Sequence, residues 1–247
     1  MRLTIIGCGD AFGSGGRLQT ALHLSSGASR TLIDCGASTL IGMHRLGLKP
    51  SEIDAVFISH LHGDHFAGLS WLLIDALFVS KRSRPLIVTG PRGIEARFIA
   101  ATEALYPDMT TTARLFDLNF IEYREGERIK IAETAITPFE VRHPSGAPPY
   151  ALRVEAEGKT IAFTGDTGWT EGLCRAARGA DLLISECFQY DLKLDIHLDY
   201  KTIDANFERL GAKRVLLTHM GEAMLAERSK VDRLRYLLAE DGMTLDL

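Results

Sequence analysis

Short apolar runs dominate the first third of the chain: Leu3 to Ile6, Ala21 to Leu24 and Thr31 to Ile33, with a glycine-rich stretch from Gly7 to Gly16 after the first. Runs of this length, bounded by glycine and polar residues, predict strands. The glycine-rich stretch lacks the Gly-Lys-Ser/Thr ending of a phosphate-binding loop and the full dinucleotide fingerprint, so it predicts tight turns. From Ala37 to Leu46 the apolar positions recur at helical spacing, and Gly47 followed by Pro50 supplies a stop. A buried strand, Ala55 to Ile58, comes next, then a helix over Ala67 to Val79, a strand over Pro85 to Thr89 and a helix over Ile94 to Leu105.

The middle of the chain returns to strand spacing at Phe120 to Tyr123, Arg128 to Ile131, Thr134 to Val141, Tyr150 to Glu155 and Thr160 to Thr164. Buried strands are predicted at Leu182 to Ser185 and Val215 to Thr218, with helices at Thr202 to Leu210 and about Ala223 to Ala239. Sheet-rich sections with helices before, between and after them predict an α/β fold of two packed mixed sheets flanked by helices on both outer faces.

At 247 residues this architecture fits a single domain over 1–247. A hydrophobic content of 46% with 24% charged residues is the balance of a globular, soluble protein. No apolar stretch reaches the roughly 20 residues of a membrane span, since Asp75 interrupts the run from Trp71 to Val79. The opening Met1 to Gly7 is too brief for a secretory signal and reads as a strand. Cys8, Cys35, Cys174 and Cys187 form no Cys-x-x-Cys pair, so buried free thiols and a cytoplasmic location are expected. The formal net charge of −4 gives no basic footprint for nucleic acid, and Lys81 to Arg84 reads as a solvated loop.

The chemistry concentrates in Ser59-His60-Leu61-His62-Gly63-Asp64-His65. Three of the chain's eight histidines lie within these positions. Leaving an extended strand, His60 and His62 project to one side, and Gly63 permits the bend that turns Asp64 and His65 inward. Imidazole and carboxylate donors suit zinc, and manganese or iron also suits a mixed N/O set. One loop cannot complete two sites. His143, Asp166 and His219 each follow an apolar or β-branched run, where a sheet aims side chains into a shared cleft. His23 within a strand and His44 on an amphipathic helix read as packing or surface residues.

With its HxHxDH stretch and the downstream order His143, Asp166, His219, the chain resembles the metallo-β-lactamase superfamily from Leu3 to about Met220. The resemblance implies an αββα sandwich and two metal ions, two Zn2+ in the first instance with Mn2+ or Fe2+ as substitutes. It places His60, His62 and His143 on the first ion and Asp64, His65 and His219 on the second, with Asp166 and a water or hydroxide bridging them. Within the superfamily, Leu32 to Gly36, Val88 to Pro91, Thr164 to Thr167 and Ser185 to Phe188 followed by His197 look like ribonuclease Z and related phosphodiesterases. That likeness makes His197 the proton donor, with Glu186, Asp195 or Asp199 orienting it, although Ile196-His197-Leu198 departs from the relatives' Gly-His-Ser. It also implies that a homodimer is an available state.

Asp64, Asp166 and His197 are the expected catalytic residues. The expected substrate is a small-molecule phosphodiester or nucleotide. Ribonuclease Z carries a long transfer-RNA-gripping arm between the third metal histidine and the bridging aspartate, whereas His143 and Asp166 here are joined by one short strand pair. An RNA 3'-end endonuclease is therefore the alternative, beside a sulfatase or lactonase and a non-catalytic metal-binding accessory protein.

Overall fold

The computed structural model describes residues 1–247. Strands β1 (Arg2–Gly7), β2 (Ala21–Ser26) and β3 (Ser29–Ile33) precede helix α1 (Thr39–Arg45). Then follow β4 (Ala55–Phe57), α2 (Gly63–Phe66), α3 (Gly68–Phe78), β5 (Leu86–Gly90), α4 (Ile94–Leu105) and β6 (Leu118–Glu122). The second half comprises β7 (Ile129–Ile131), β8 (Thr134–Glu140), β9 (Tyr150–Ala156), β10 (Lys159–Phe163), α5 (Glu171–Ala177) and β11 (Leu182–Glu186). It ends with α6 (Tyr200–Ala205), α7 (Phe207–Leu210), β12 (Val215–Thr218), α8 (Glu222–Ala226), β13 (Tyr236–Leu238) and β14 (Thr244–Asp246).

Two seven-stranded sheets form, ordered β14-β1-β2-β3-β4-β5-β6 and β7-β8-β9-β10-β11-β12-β13. Each runs through three antiparallel pairings and then three parallel ones. The sheets thus repeat one plan, with β3 and β10 in matching places. Parallel strands buried on both faces need apolar residues at every position, which is why Leu182, Leu183 and Ile184 run without alternation. Leu182 and Ile184 enter the core between the sheets with Leu3, Ile5, Phe57, Leu152 and Phe163. Leu183 faces the other way, toward Leu173 and Ile203 beneath the helices. Val56, Val88, Leu69, Leu73 and Phe98 fill the matching outer layer of the first sheet. Fully burying each such Leu or Phe contributes about 1.5–3 kcal/mol. The expected αββα layering is what the structure shows.

The predicted helix over Ala223 to Ala239 stops at Ala226. The chain beyond it leads instead into β13, whose Tyr236 and Leu238 are buried and which pairs in parallel with β12. Docking onto an open sheet edge overrides local periodicity. The helix expected at Thr202 to Leu210 is two short helices meeting at Asn206, whose amide donates to the Thr202 carbonyl. Helix α5 and strand β14 were not anticipated. Within Lys81 to Arg84, Arg82 is buried rather than solvated, and its guanidinium donates to the carbonyls of Pro50, Ser51, Ile53, Arg84 and Pro85. It is a staple between the turn before β4 and the start of β5. All four cysteines are free and buried, as expected. No helix is long and apolar enough to cross a membrane.

Candidate metal centre

Residues that follow β4, β8, β10, β11 and β12 converge on one edge of the sandwich, and they carry every histidine and acid singled out from the sequence for metal binding or proton transfer. His60 and His62 lie between β4 and α2, and His62 has the extended backbone anticipated for it. Asp64 and His65 lie on the short helical turn α2, not on a plain bend. That turn packs so closely on the loop after β3 that a Cβ at Gly36 would stand 2.3 Å from the Asp64 carbonyl oxygen.

The side chains form two groups that meet at Asp166. His60, His62 and His143 make one, and Asp64, His65, Asp166 and His219 the other; within each, the potential ligand atoms all lie within 4.8 Å of one another. His62 Nδ1 is 3.0 Å from His143 Nε2, and His65 Nε2 is 3.3 Å from His219 Nε2. Asp166 Oδ1 is 3.2 Å from His65 Nε2, while its Oδ2 is 3.3 Å from His219 Nε2 and 3.9 Å from both His60 Nε2 and His143 Nε2. Donors set roughly 2.0–2.1 Å from a tetrahedral ion stand roughly 3.3 Å apart, so these spacings fit a metal between them. His60 Nε2 and Asp166 Oδ1 are moreover buried without a hydrogen-bond partner.

The tautomers are set from behind. His65 Nδ1 is 2.6 Å from Asp34 Oδ2, so it donates there and turns Nε2 into the cluster. The Ser59 hydroxyl donates to the same carboxylate at 2.8 Å, which leaves its oxygen to accept from His60 Nδ1 at 3.1 Å. One aspartate therefore orients one histidine of each group, a support that fixes tautomer and raises ligand basicity. Asp34 holds φ 58° and His219 φ 55°, left-handed values that cost non-glycine residues energy and are tolerated where the surroundings enforce them. The His219 amide is tied to the Cys8 carbonyl at 2.9 Å.

Asp34, Asp64, Asp166 and Glu186 are all buried here. Such a concentration of carboxylates demands positive charge beside it. Burial alone would lower the His65 and His219 imidazoles, yet the charge of Asp166 and its neighbours outweighs it and raises both, His219 to about 9. Burial and neighbouring histidines hold His60 well below its ordinary value, in the neutral form that ligates metal.

His197 borders the cluster. Its Nδ1 lies 3.0 Å from Glu186 Oε2 and 4.0 Å from Asp166 Oδ2. Of the three acids proposed to orient it, Glu186 makes the contact. Asp199 caps α6 through Thr202, and Asp195 is exposed, its carbonyl packed on Gly168. Burial would lower the His197 imidazole, but the hydrogen bond and charge of Glu186 hold it above its ordinary value. Glu186, pushed up to about 7 by burial and by Asp166, also accepts the Thr167 amide. His143 Nδ1 donates to the Ile196 carbonyl at 2.9 Å, which pins the His197 loop to the cluster. Sequence reading missed the roles of Asp34 and Ser59. A buried acid closing a strand in Leu32-Ile33-Asp34-Cys35-Gly36 was the available signal. His23 and His44 stand apart from the cluster, as expected. A separate cavity of about 370 Å³ near Asp54 and Arg84 lies at the opposite end of β4 and β5.

The two-sheet architecture is the metallo-β-lactamase fold. The chain belongs to the family described as anti-Pycsar protein Apyc1, whose profile matches residues 1–241. It is 35% identical over 147 residues to ribonuclease Z of Lachnoclostridium phytofermentans, a match covering 59% of this chain and 46% of that enzyme. The matched stretch is thus about half that enzyme's length. Among solved structures, the metallo-β-lactamase fold protein YhfI of Bacillus subtilis superposes with a TM-score of 0.81 at 23% identity, over 99% of this chain and 98% of that one. Human short-form tRNase Z superposes with a TM-score of 0.79 at 25% identity, over 100% and 99%. The likeness to YhfI concerns the fold alone.

Proposed function

We propose that the chain is a binuclear metal-dependent phosphodiesterase acting on a small phosphodiester or nucleotide. The observation that carries this reading is the position of Asp166 Oδ2, 3.9 Å from His60 and His143 Nε2 and 3.3 Å from His219 Nε2, with His197 and Glu186 beside it. In this reading His60, His62 and His143 would hold one divalent ion, Asp64, His65 and His219 the other, and Asp166 would contribute to both. The donors contain imidazole and carboxylate and no thiolate, a set that suits zinc, with manganese or iron as substitutes. Divalent ions bound there would supply Lewis acidity toward a phosphoryl oxygen and lower the pKa of a bound water.

The chain's own residues do the rest. Asp34, directly and through Ser59, keeps His65 and His60 in the ligating tautomer. Glu186 accepts from His197 Nδ1, which leaves Nε2 to carry the proton for the departing oxygen as the phosphorus–oxygen bond breaks. The loop from Val141 to Pro149 is short, and β9 and β10 alone join it to Asp166. A net charge of −4 likewise favours a small substrate over RNA.

Hydrolysis of bis-p-nitrophenyl phosphate by metal-analysed protein, with p-nitrophenyl sulfate and a lactone alongside, tests the reading. Preference for the phosphodiester is expected. Preference for the sulfate or lactone, or no turnover of any of them by metal-loaded protein, would contradict it.

A further inference from the structure

Phe12 sits at the tip of the glycine-rich loop with 82% of its surface exposed. Single exposed apolar residues are ordinary. This one is set apart by how firmly it is held and by what stands behind it. Buried Asp10 accepts the Ser14 amide at 2.9 Å and the Ser14 hydroxyl at 2.7 Å, closing the loop under Phe12. The Gly15 amide donates to Glu222 at 2.9 Å, and the loop's root, the Cys8 carbonyl, accepts from the His219 amide. The loop that presents Phe12 is therefore clamped to the segment that carries His219.

Behind Phe12 an aromatic series leads into the site. Its ring centroid is 6.4 Å from that of Phe188, and Phe188 is 4.8 Å from the His197 imidazole and 6.2 Å from that of His219. The Phe188 backbone is bonded on both sides, donating to Leu198 and accepting from Gly221. A Cβ at Gly221 would meet the Phe188 ring at 2.8 Å, so only glycine two residues beyond His219 lets that ring lie where it does. Aromatic surface thus runs outward from the proton donor and ends in a ring held open to solvent.

We infer that Phe12 is a specificity-determining residue, a stacking platform for the planar base of a nucleotide whose phosphate lies at the metal cluster, with Phe188 as its brace. This rests on the phosphodiesterase reading and adds the residue that separates base-bearing substrates from those without a ring. Stacking on an aromatic side chain strengthens binding by about 5- to 150-fold per base and tolerates any base, because every base has a π face.

The test is calorimetric binding of adenosine 5'-monophosphate, ribose 5-phosphate and inorganic phosphate to metal-loaded wild type, Phe12→Ala and Phe12→Trp. Wild type is expected to bind the nucleotide at least about fivefold more tightly than ribose 5-phosphate. Phe12→Ala should abolish that preference while still binding inorganic phosphate, and Phe12→Trp should restore it. An unchanged preference in Phe12→Ala, or none in wild type, overturns the inference. If wild type shows the Phe12-dependent preference yet hydrolyses no phosphodiester, the proposed reaction fails and the stacking role stands.

Discussion

His197 Nδ1 lies 3.0 Å from Glu186 Oε2, and Glu186 is wholly buried at the end of β11, where it also takes the amide of Thr167, the residue after Asp166. One carboxylate thus sets the position of His197, the proposed proton donor, relative to Asp166. General acid catalysis contributes about 10²–10⁴ in rate. His197→Ala should lose turnover of a diester with a poor leaving group by that order while retaining its metal, and lose much less with an activated aryl ester. Glu186→Gln should shift the same ratio in the same direction, by a smaller factor. Paired rate measurements on the two substrates check this, and an equal loss on both would remove His197 from leaving-group protonation.

Asp34 reaches both donor groups without entering either. Asparagine tolerates its left-handed backbone, so Asp34→Asn removes the charge and keeps the fold. The expected outcome is a metal affinity lower by about 10- to 100-fold, measured by competition with a chromogenic chelator. Affinity equal to wild type would show that His65 and His60 need no such support.

Asp166→Asn tests the proposed sharing of Asp166 by two ions. Its two oxygens face different histidines, Oδ1 toward His65 and Oδ2 toward His60, His143 and His219. An amide replaces one oxygen with a donor that cannot ligate, so metal content by elemental analysis should fall. Full retention of metal would contradict the sharing.

Away from the site, His23 in β2 couples pH to stability. Burial, then the charge of Arg30, lowers its imidazole to about 4 from an ordinary value near 6.5. Between those values the unfolded chain takes up a proton that the folded chain refuses, so stability falls as pH drops from about 6.5 to about 4 and this contribution is flat below. The difference amounts to roughly 3 kcal/mol. Urea unfolding of wild type and His23→Gln at pH 7 and pH 4.5 should show a smaller acid loss in the variant. Identical losses would show that His23 is not the group responsible.

Much of this was legible in the chain because strong local patterns coincided with tertiary need. Buried parallel strands such as Leu182 to Ser185 announce themselves by unbroken apolar runs, and His60 to His65 by density of ligating residues. The segment beyond Ala226 was not legible, since Tyr236 to Leu238 becomes a strand only by adding to the edge at β12. Choosing Glu186 over Asp195 and Asp199 likewise required the positions of β11 and α6 in space. Asp34 was visible as a motif residue, but its support of His65 depends on the parallel register of β3 and β4.

The proposed function requires two ions, held by His60, His62, Asp64, His65, His143, Asp166 and His219, for phosphodiester hydrolysis. Chelator-stripped protein titrated with zinc or manganese, while bis-p-nitrophenyl phosphate turnover is followed, tests it most directly. No turnover is expected without metal, and the rate should rise until about two equivalents per chain are bound. Turnover by the stripped protein, or saturation at one equivalent, would contradict it.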